Sequence, residues 1–302
     1  MRLKLVLAYD GTGWHGWQIQ APSLALGTVQ GQLEQALSRL AGAPVAAFGS
    51  GRTDAGVHAL GQTVHCDVAD ERFPKIRDWR HALNALLPSA IRVLSCEPCP
   101  DSFHARFSAR AKTYRYRFWQ EPGFVLPWLA PLVWRCGPLD AERMRRALEA
   151  LKGTHDFASF ANAGTPVQDT VRTLYALELA EESWDAVLTK AGPSLPPHRP
   201  CLRLDVTGSG FLKQMVRNIA GLLHDVGKGK LAPDKVPSFL QGRPRELLRS
   251  RTAPACGLTL LKVHYGDAFP GSPASEAACP ESPCAESLCP EGSCFARQGG
   301  RA

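Results

Sequence analysis

Residues 49–62 contain four glycines around one arginine and one aspartate, and the stretch lies between two apolar runs. Glycine permits positive φ angles and close backbone approach, but ordering it costs more conformational entropy than ordering any other residue. Dense glycine around charged side chains therefore indicates a tight loop whose backbone is shaped to present Arg52 and Asp54. Asp54 is the first candidate functional residue.

Asp54 has two interpretations at this stage. An acid that lies beside a fixed cation such as Arg52 stays ionised and suits a nucleophile, a base or an ion-pair anchor. Alternatively, it stabilises its own turn through backbone hydrogen bonds. Ser50 and His58 do not indicate a hydrolase, because the GxSxG spacing is missing. The glycines match neither of the common phosphate-binding patterns.

The charge of the chain is unevenly distributed. The formal net charge is +7 over 302 residues, but residues 267–302 contain five acidic and two basic side chains, so the preceding residues carry +10. A body this basic favours a polyanionic partner such as RNA or DNA. No apolar run approaches the roughly 20 residues of a membrane span, and the first residues alternate like a strand. We expect a cytoplasmic protein without membrane contact.

The periodicities predict an α+β fold with two lobes and a catalytic cleft between them. Strands are expected at 2–9, 63–68, 91–97, 112–119, 172–179, 183–189, 201–207 and 258–265. Helices are expected around 29–40, 78–87, 140–151 and 212–226. We assign residues 1–110 to an N-terminal lobe and 111–266 to a C-terminal lobe. Residues 267–302 are predicted to be a disordered Cys/Pro/Glu/Ser tail.

The ten cysteines favour reduced thiols over a disulfide framework. Six of them are scattered through the body. Cys96 and Cys99 form a lone CxxC without a second pair, which leaves zinc as the minor alternative. The other four recur every fifth residue in the tail, and the surrounding residues lack the apolar side chains that a metal knuckle needs.

The strand at 112–119 alternates aromatic and basic residues. Tyr114, Tyr116 and Phe118 are expected on one face, with Arg115 and Arg117 on the other. This pattern suits base stacking combined with phosphate contact. It equally suits a half-buried strand with a solvated basic face.

The helix expected at 212–226 carries Lys213, Arg217 and His224 near one stripe. Most such stripes are simply solvated. Arg217 is exceptional because it lies near the start of a helix entered through a Gly-Ser-Gly turn, beside the expected cleft. We therefore expect Arg217 to pair with Asp54.

Four segments resemble the tRNA pseudouridine synthase A family. They read GRTDAGVHA at 51–59, KTYRY at 112–116, GFLKQMVRN at 210–218 and APACGL at 253–258. The similarity extends over about residues 1–265, and the four segments occur in the family's order. The tail at 267–302 has no counterpart, and we expect its deletion to leave activity intact.

The resemblance implies a mixed, mostly antiparallel sheet architecture flanked by helices, which is the pseudouridine synthase fold. It implies an isomerase that converts uridine to pseudouridine at positions 38–40 of the tRNA anticodon stem-loop. The partners implied are tRNA and a second copy of the chain, as a homodimer. Neither a metal nor an organic cofactor is implied.

Residue roles also follow from the resemblance. Asp54 is the catalytic carboxylate, and Arg217 is the cation that pairs with it. Arg52 fills the space that the flipped base vacates, while Tyr114 and Leu258 enclose the uracil. Tyr114 is also the candidate base that removes the C5 proton, and Lys213 is assigned to substrate binding. A non-catalytic RNA-binding protein is the competing hypothesis, and a metal- or triad-dependent hydrolase is disfavoured.

Overall fold

The structure, a computed structural model, describes residues 1–71, 73–162, 169–182, 201–272 and 274. Its helices are α1 (Val29–Ala41), α2 (Trp79–Leu86), α3 (Ala141–Glu149) and α4 (Met215–Gly227). Its strands are β1 (Arg2–Tyr9), β2 (Ala47–Gly49), β3 (His58–Asp67), β4 (Ile91–Cys99), β5 (Ala111–Trp119), β6 (Trp134–Arg135), β7 (Gly153–Asp156), β8 (Val171–Glu182), β9 (Cys201–Gly208) and β10 (Leu258–His264).

The helices begin where the sequence places a capping side chain. Thr28 accepts a hydrogen bond from the backbone amide of Gly31 at the start of α1, at 3.1 Å. Asp78 and Asp140 cap α2 and α3 in the same way. These side chains satisfy amides that have no partner within the helix. The predictions of α1, α2 and α3 are confirmed, with ends that differ by one or two residues.

The strands form one continuous sheet in the order β4-β1-β3-β10-β5-β9-β8-β7, with β2 added beside β3 and β6 beside β5. All the pairings are antiparallel except β10 with β3 and β6 with β5. Helices flank this mixed, mostly antiparallel sheet, so the predicted α+β class is confirmed. Within the described residues, no helix has the length and apolar composition that crossing a membrane requires.

Strand β10 joins the two halves of the chain. It pairs with β3 through Thr259 and His58, and with β5 through Leu258 and Tyr116. The loop that carries Asp54 and the strand that carries Tyr114 therefore lie on either side of the last strand. The sheet runs through the lobe boundary expected at 110/111, and the division into two lobes and a tail stays a prediction.

Helix α4 is buried on nearly all sides. Eleven of its thirteen residues are buried, and the two that are not are Arg217 and Asp225. His224 stacks on Trp134 with 4.4 Å between ring centroids. The alternative of a simply solvated stripe therefore does not apply to Arg217 and His224. Burial lowers the pKa of His224, which keeps its ring neutral at pH 7.

The start of α4 also differs from the prediction. The 3,4 spacing predicts a helix from 212, but Gln214 has a φ of 60°, so regular helix begins only at Met215. A left-handed residue interrupts the helical hydrogen-bond pattern. Lys213 consequently lies in the turn before the helix and not on the stripe with Arg217.

Three further expectations concern the cysteines and the chain beyond the sheet. The six cysteines of the body are free thiols. Cys96 and Cys99 lie three residues apart on β4, on opposite faces of the strand, which excludes joint coordination of one zinc ion. Phe269 packs on Tyr175, so ordered packing continues past residue 266. The strand expected at 183–189, the proline-rich segment at 191–200 and residues 275–302 lie outside the described residues.

Candidate active site

Asp54 lies in a tight turn between β2 and β3. The amide of Val57 donates to the carbonyl of Asp54 at 3.1 Å and closes the turn. Gly56 has a φ of 78°, in the left-handed region that favours glycine. A Cβ at this position would lie 3.3 Å from the Cβ of Ala255, so the turn packs closely on the segment that leads into β10.

The residues before Asp54 are fixed by the N-terminal segment. The Thr53 hydroxyl bonds the buried Tyr9 hydroxyl at 2.8 Å, and the amide of Trp17 donates to the carbonyl of Thr53 at 3.0 Å. A Cβ at Gly16 would lie 2.7 Å from that carbonyl oxygen, closer than atoms can approach. Because both the backbone and side chain of Thr53 are held, the carboxylate that follows has a defined position.

Arg217 makes an ion pair with Asp54. Its Nη1 lies 2.9 Å from Asp54 Oδ2, with side chains 14% and 34% exposed respectively. Its Nε donates to the carbonyl of Ala253 at 2.8 Å, while the Ala253 amide donates to the carbonyl of Arg217 at 3.1 Å. The guanidinium thus links α4, the approach to β10 and the Asp54 turn. The structure brings together the two residues that the sequence analysis paired.

The other two predicted cations lie at the surface. Arg52 is exposed, two residues before Asp54. The structure gives the Asp54 carboxylate an ion pair with Arg217 rather than with Arg52. Lys213 is exposed in the turn before α4, where its carbonyl accepts from the amide of Asn162 at 3.1 Å. Their assigned contacts with substrate stay predictions.

Tyr114 and Leu258 lie on the adjacent strands β5 and β10, and both are buried. In the register of these strands Leu258 is opposite Tyr116, while Tyr114 is opposite Leu260. Tyr114 also contacts the ring of Phe211 edge to face, with centroids 5.1 Å apart. Burial first, and then the negative charge of Asp54, raise the pKa of Tyr114 well above its ordinary value, so its hydroxyl stays protonated at pH 7.

Lys112 contacts the Asp54 loop, and the sequence analysis did not single it out. Its Nζ donates to the carbonyl of Ser50 at 2.8 Å, which ties β5 to the start of the Asp54 loop. A Cβ at Gly51 would lie 2.9 Å from this Nζ, so glycine makes room for the ammonium group. Burial, and secondarily the charge of Arg106, lower the pKa of Lys112 to about 8. In the sequence, Lys112 is the first residue of the KTYRY segment that carries the family resemblance, but no role was assigned to it.

A family model described as tRNA pseudouridine synthase matches residues 5–108 and 147–266, which is more than half of the chain. The chain belongs to the tRNA pseudouridine synthase family. The matched segments include Asp54, Arg217 and Leu258, whereas Tyr114 lies between them.

Individual relatives agree with this family. The chain is similar to the tRNA pseudouridine synthase A of Maridesulfovibrio salexigens, with 44% identity over 90% of this chain and 93% of the relative. It is 47% identical to the enzyme of that name from Nitratidesulfovibrio vulgaris strain Miyazaki F, over 87% of this chain and 99% of the relative. The Bacillus subtilis protein of the same name is 44% identical over 88% of this chain and 99% of the relative. The prediction of an isomerase of this family is confirmed.

A buried polar network in this synthase positions the segment that Arg217 bonds. The side-chain amide of Asn218 donates to the carbonyl of Phe160 at 2.7 Å, and its oxygen accepts from the hydroxyl of Thr252, also at 2.7 Å. Arg245 donates to the carbonyl of Ser250 at 2.8 Å. Asn162 bonds both Asn218 and Gln214. The left-handed Gln214 therefore belongs to a network that fixes residues 250–253.

The basic face of β5 pairs with carboxylates on β9 and β8. Arg115 makes two hydrogen bonds of 2.7 Å to the carboxylate of Asp205 on β9, and Arg117 bonds Glu182 on β8. Carboxylates pair with both guanidinium groups, so of the two alternatives that the alternation left open, the structure favours the half-buried strand over phosphate contact. The aromatic face, Tyr114, Tyr116 and Phe118, is buried in the core as the alternation predicted.

Ser50 and His58 are not arranged for hydrolysis. The Ser50 hydroxyl donates to the side-chain oxygen of Gln62 at 2.6 Å, and His58 Nε2 lies 2.7 Å from the carbonyl of Pro131. Both groups are buried and serve as structural links. Among the described ranges, no group of three His, Cys, Asp or Glu side chains is arranged to hold a metal ion. The expected independence from metals and cofactors stays a prediction.

Proposed function

We propose that this synthase converts uridine to pseudouridine at positions 38–40 of the tRNA anticodon stem-loop, with Asp54 as the catalytic carboxylate. The observation that carries the proposal is the 2.9 Å ion pair between Asp54 and Arg217 at the junction of β3, β10 and β5. A carboxylate that is one-third exposed and held by a fixed cation is oriented for reaction while remaining accessible to substrate. The basic body supplies the attraction for tRNA.

Catalysis starts with extrusion of the target base, which costs a few kcal/mol of stacking and pairing. Arg52 is exposed beside Asp54 and takes the space that the base vacates. Tyr114 and Leu258 flank the extruded uracil, one with an aromatic and the other with an aliphatic surface. Because the raised pKa of Tyr114 keeps its phenol protonated, stacking is a better role for it than proton removal at C5.

Asp54 then starts the chemistry, either by adding to the base or the ribose or by removing a ribose proton. The C–N glycosidic bond breaks, the uracil rotates, and a C–C bond forms at C5. Loss of the C5 proton restores the ring, and the N1 position freed from the ribose carries a proton in the product. The reaction is an isomerisation without net oxidation, so it requires no redox cofactor. Lys213 contributes a charge for the RNA backbone near α4.

Two further proposals follow from the family and its substrate. Because the relatives are tRNA-modifying enzymes, we place the protein with tRNA in the cytoplasm. We also propose a homodimer in which both subunits contact one tRNA. Sedimentation of the full chain, with and without tRNA, tests the second proposal directly.

Asp54→Asn tests the catalytic assignment. Unmodified tRNA transcripts are incubated with each variant, and pseudouridine is mapped by carbodiimide labelling. The asparagine variant should form no product at positions 38–40 while binding tRNA within about threefold of wild type, because the change removes an acid and not a phosphate contact. Asp101→Asn is the control, since this exposed aspartate is distant in sequence from the loop. Product from Asp54→Asn, or a wild type that binds tRNA without modifying it, would contradict the proposal.

A further inference from the structure

A cluster of aromatic rings reaches the surface beside the Asp54 loop. Phe48 stacks on His65 with centroids 5.1 Å apart, His65 lies 4.5 Å from His104, and His104 lies 4.4 Å from Phe107. The two ends of this row are exposed, Phe48 at 50% and Phe107 at 77%. We call these four rings, together with Arg106, the Phe107 patch. Isolated exposed apolar residues are ordinary, but two exposed rings joined into one row through the inner rings of His65 and His104 are a candidate interaction site.

The turn that presents Phe107 is rigidly built. The Nδ1 of His104 accepts hydrogen bonds from the amides of Arg106 and Phe107, at 3.1 and 3.2 Å. The amide of Ala105 donates to His65 Nδ1 at 3.2 Å, and its carbonyl accepts from the Tyr265 hydroxyl at 2.7 Å. These bonds fix both faces of the turn, so the phenyl ring is held outward before any partner binds. A preorganised aromatic surface binds at a lower entropic cost.

The charges around the patch favour a nucleic acid over a protein. The Arg106 guanidinium lies 5.6 Å from the centroid of the Phe107 ring, and Arg52 and Arg110 are also exposed nearby in the chain. An aromatic ring beside a cation binds the base and the phosphate of a single-stranded nucleotide together. A second copy of this chain is itself basic, with a net charge of +7, and so offers a basic patch less charge complementarity than RNA does.

The patch is close to the catalytic loop. Phe48 is the residue before Gly49, where residues 49–62 begin, and Asp54 follows six residues later. Six residues span no more than about 21 Å even when fully extended, so the Phe48 end of the row lies within the length of a few nucleotides of Asp54. Lys112 joins the two regions, since it bonds Ser50 and lies within the electrostatic influence of Arg106. One strand of RNA can therefore occupy both places at once.

We propose that the Phe107 patch is a stacking site for an unpaired nucleotide of the substrate RNA, a few nucleotides from the uridine that enters the Asp54 site. This inference rests on the proposed function, because it takes the anticodon loop as the ligand. The Phe107 ring stacks on the base, and Arg106 neutralises the adjoining phosphate. The site acts in binding and not in the chemical step.

Phe107→Leu tests the stacking contact, since it keeps an apolar side chain but removes the ring. We expect KM for tRNA to rise about 5- to 150-fold, the fold-change that corresponds to the loss of one base–aromatic stack, with kcat unchanged within about twofold. Phe107→Tyr should restore KM. Because Phe107 is 77% exposed, thermal unfolding of both variants should match wild type.

Arg106→Gln tests the phosphate contact, with Arg145→Gln as the matched control on the exposed face of α3. Arg106→Gln should weaken binding of an anticodon stem-loop RNA and reduce the slope of log Kd against log salt by about one, the change expected for the loss of one phosphate contact. Arg145→Gln should change neither. A stem-loop series with 2-aminopurine at successive loop positions locates the stacked nucleotide. The wild-type protein should quench the fluorescence of 2-aminopurine at one loop position, and this quenching should be lost with Phe107→Leu.

Three results would overturn the inference. They are an unchanged KM in Phe107→Leu, a loss confined to kcat, and a shift of the variant from dimer to monomer in sedimentation, which would make the patch a subunit interface. If the wild type forms no pseudouridine in any tRNA, the proposed function fails. Direct binding of stem-loop RNA to wild type and Phe107→Leu would still decide the patch separately.

Discussion

Replacing Arg217 measures how much the ion pair with Asp54 contributes to catalysis. Arg217→Lys keeps the positive charge but loses the planar fork that reaches both Asp54 Oδ2 at 2.9 Å and the Ala253 carbonyl at 2.8 Å. One hydrogen bond to a charged group contributes about 1.5–3 kcal/mol. If that energy orients Asp54 in the transition state, kcat/KM falls about 10- to 150-fold. Arg217→Met removes both bonds and should lower the free energy of unfolding by about 3 kcal/mol or more. This value is near the lower limit for breaking a buried ion pair, because Asp54 is one-third exposed.

Two assays separate catalysis from folding. Turnover is measured by carbodiimide mapping on unmodified tRNA. A double-mutant cycle of Arg217→Met and Asp54→Asn in the free energy of urea unfolding should give a coupling of about 1–2 kcal/mol. The Arg203–Glu178 pair has the same 2.9 Å separation but side chains 29% and 61% exposed, so it is the matched control. Its coupling should stay below about 1 kcal/mol, and Arg203→Met should leave kcat/KM unchanged.

The reasoning is refuted if folded Arg217→Met turns over tRNA at the wild-type rate. It is also refuted if the Asp54–Arg217 coupling is as small as that of the exposed control pair. In either case the 2.9 Å contact would be structural coincidence, and the orientation of Asp54 would depend on its turn alone.

Three other predictions concern groups that support the site. Burial lowers the folded-state pKa of Lys112 to about 8 from its ordinary 10.5, so between these pH values only the unfolded chain holds the proton. The wild-type free energy of unfolding, measured by urea titration relative to Lys112→Met, should therefore rise as pH increases from about 8 to 10.5. Asn218→Ala should destabilise the fold by about 2–4 kcal/mol in chemical denaturation, because it leaves buried partners at Phe160 and Thr252 unpaired. A destabilisation below about 0.5 kcal/mol, roughly that of a surface change, would show that these hydrogen bonds do not stabilise the fold. Ending the chain after residue 274 should leave tRNA turnover and KM unchanged, and a large loss in either would show that the tail takes part.

The hydrophobic periodicity of the chain was sufficient to predict most of its helices and strands. Alternation predicted that Tyr114, Tyr116 and Phe118 share one face, and the sequence placed α2 and α3 within one or two residues of their observed ends. These features depend on neighbours a few residues apart, so they can be derived from a local pattern. The start of α4 was missed because the local spacing carries no sign of the left-handed Gln214, whose side chain bonds Asn162, 52 residues away.

The partners of Arg115 and Arg117 show a second kind of limit. Alternation placed both on one face of β5, but whether they meet phosphate or carboxylate depends on the register with β9 and on the position of β8. No spacing within β5 carries that information. The Phe107 patch was not predicted from the sequence for a similar reason, since its rings come from β2, β3 and the turn before β5.

The sequence by itself determined the α+β class, the family and the identity of the Asp54 loop, because glycine content, capping and motif order are properties of the linear chain. The sequence named two cations for Asp54, the adjacent Arg52 and the distant Arg217, and the tertiary structure shows the ion pair with Arg217. Strand β10 inserts between β3 and β5, and α4 then presents Arg217 across 163 residues to within 2.9 Å of the carboxylate. The neighbouring Arg52 is closer in sequence but remains at the surface. Chain proximity does not fix side-chain contacts, whereas the packing of β10 and α4 against the Asp54 turn does.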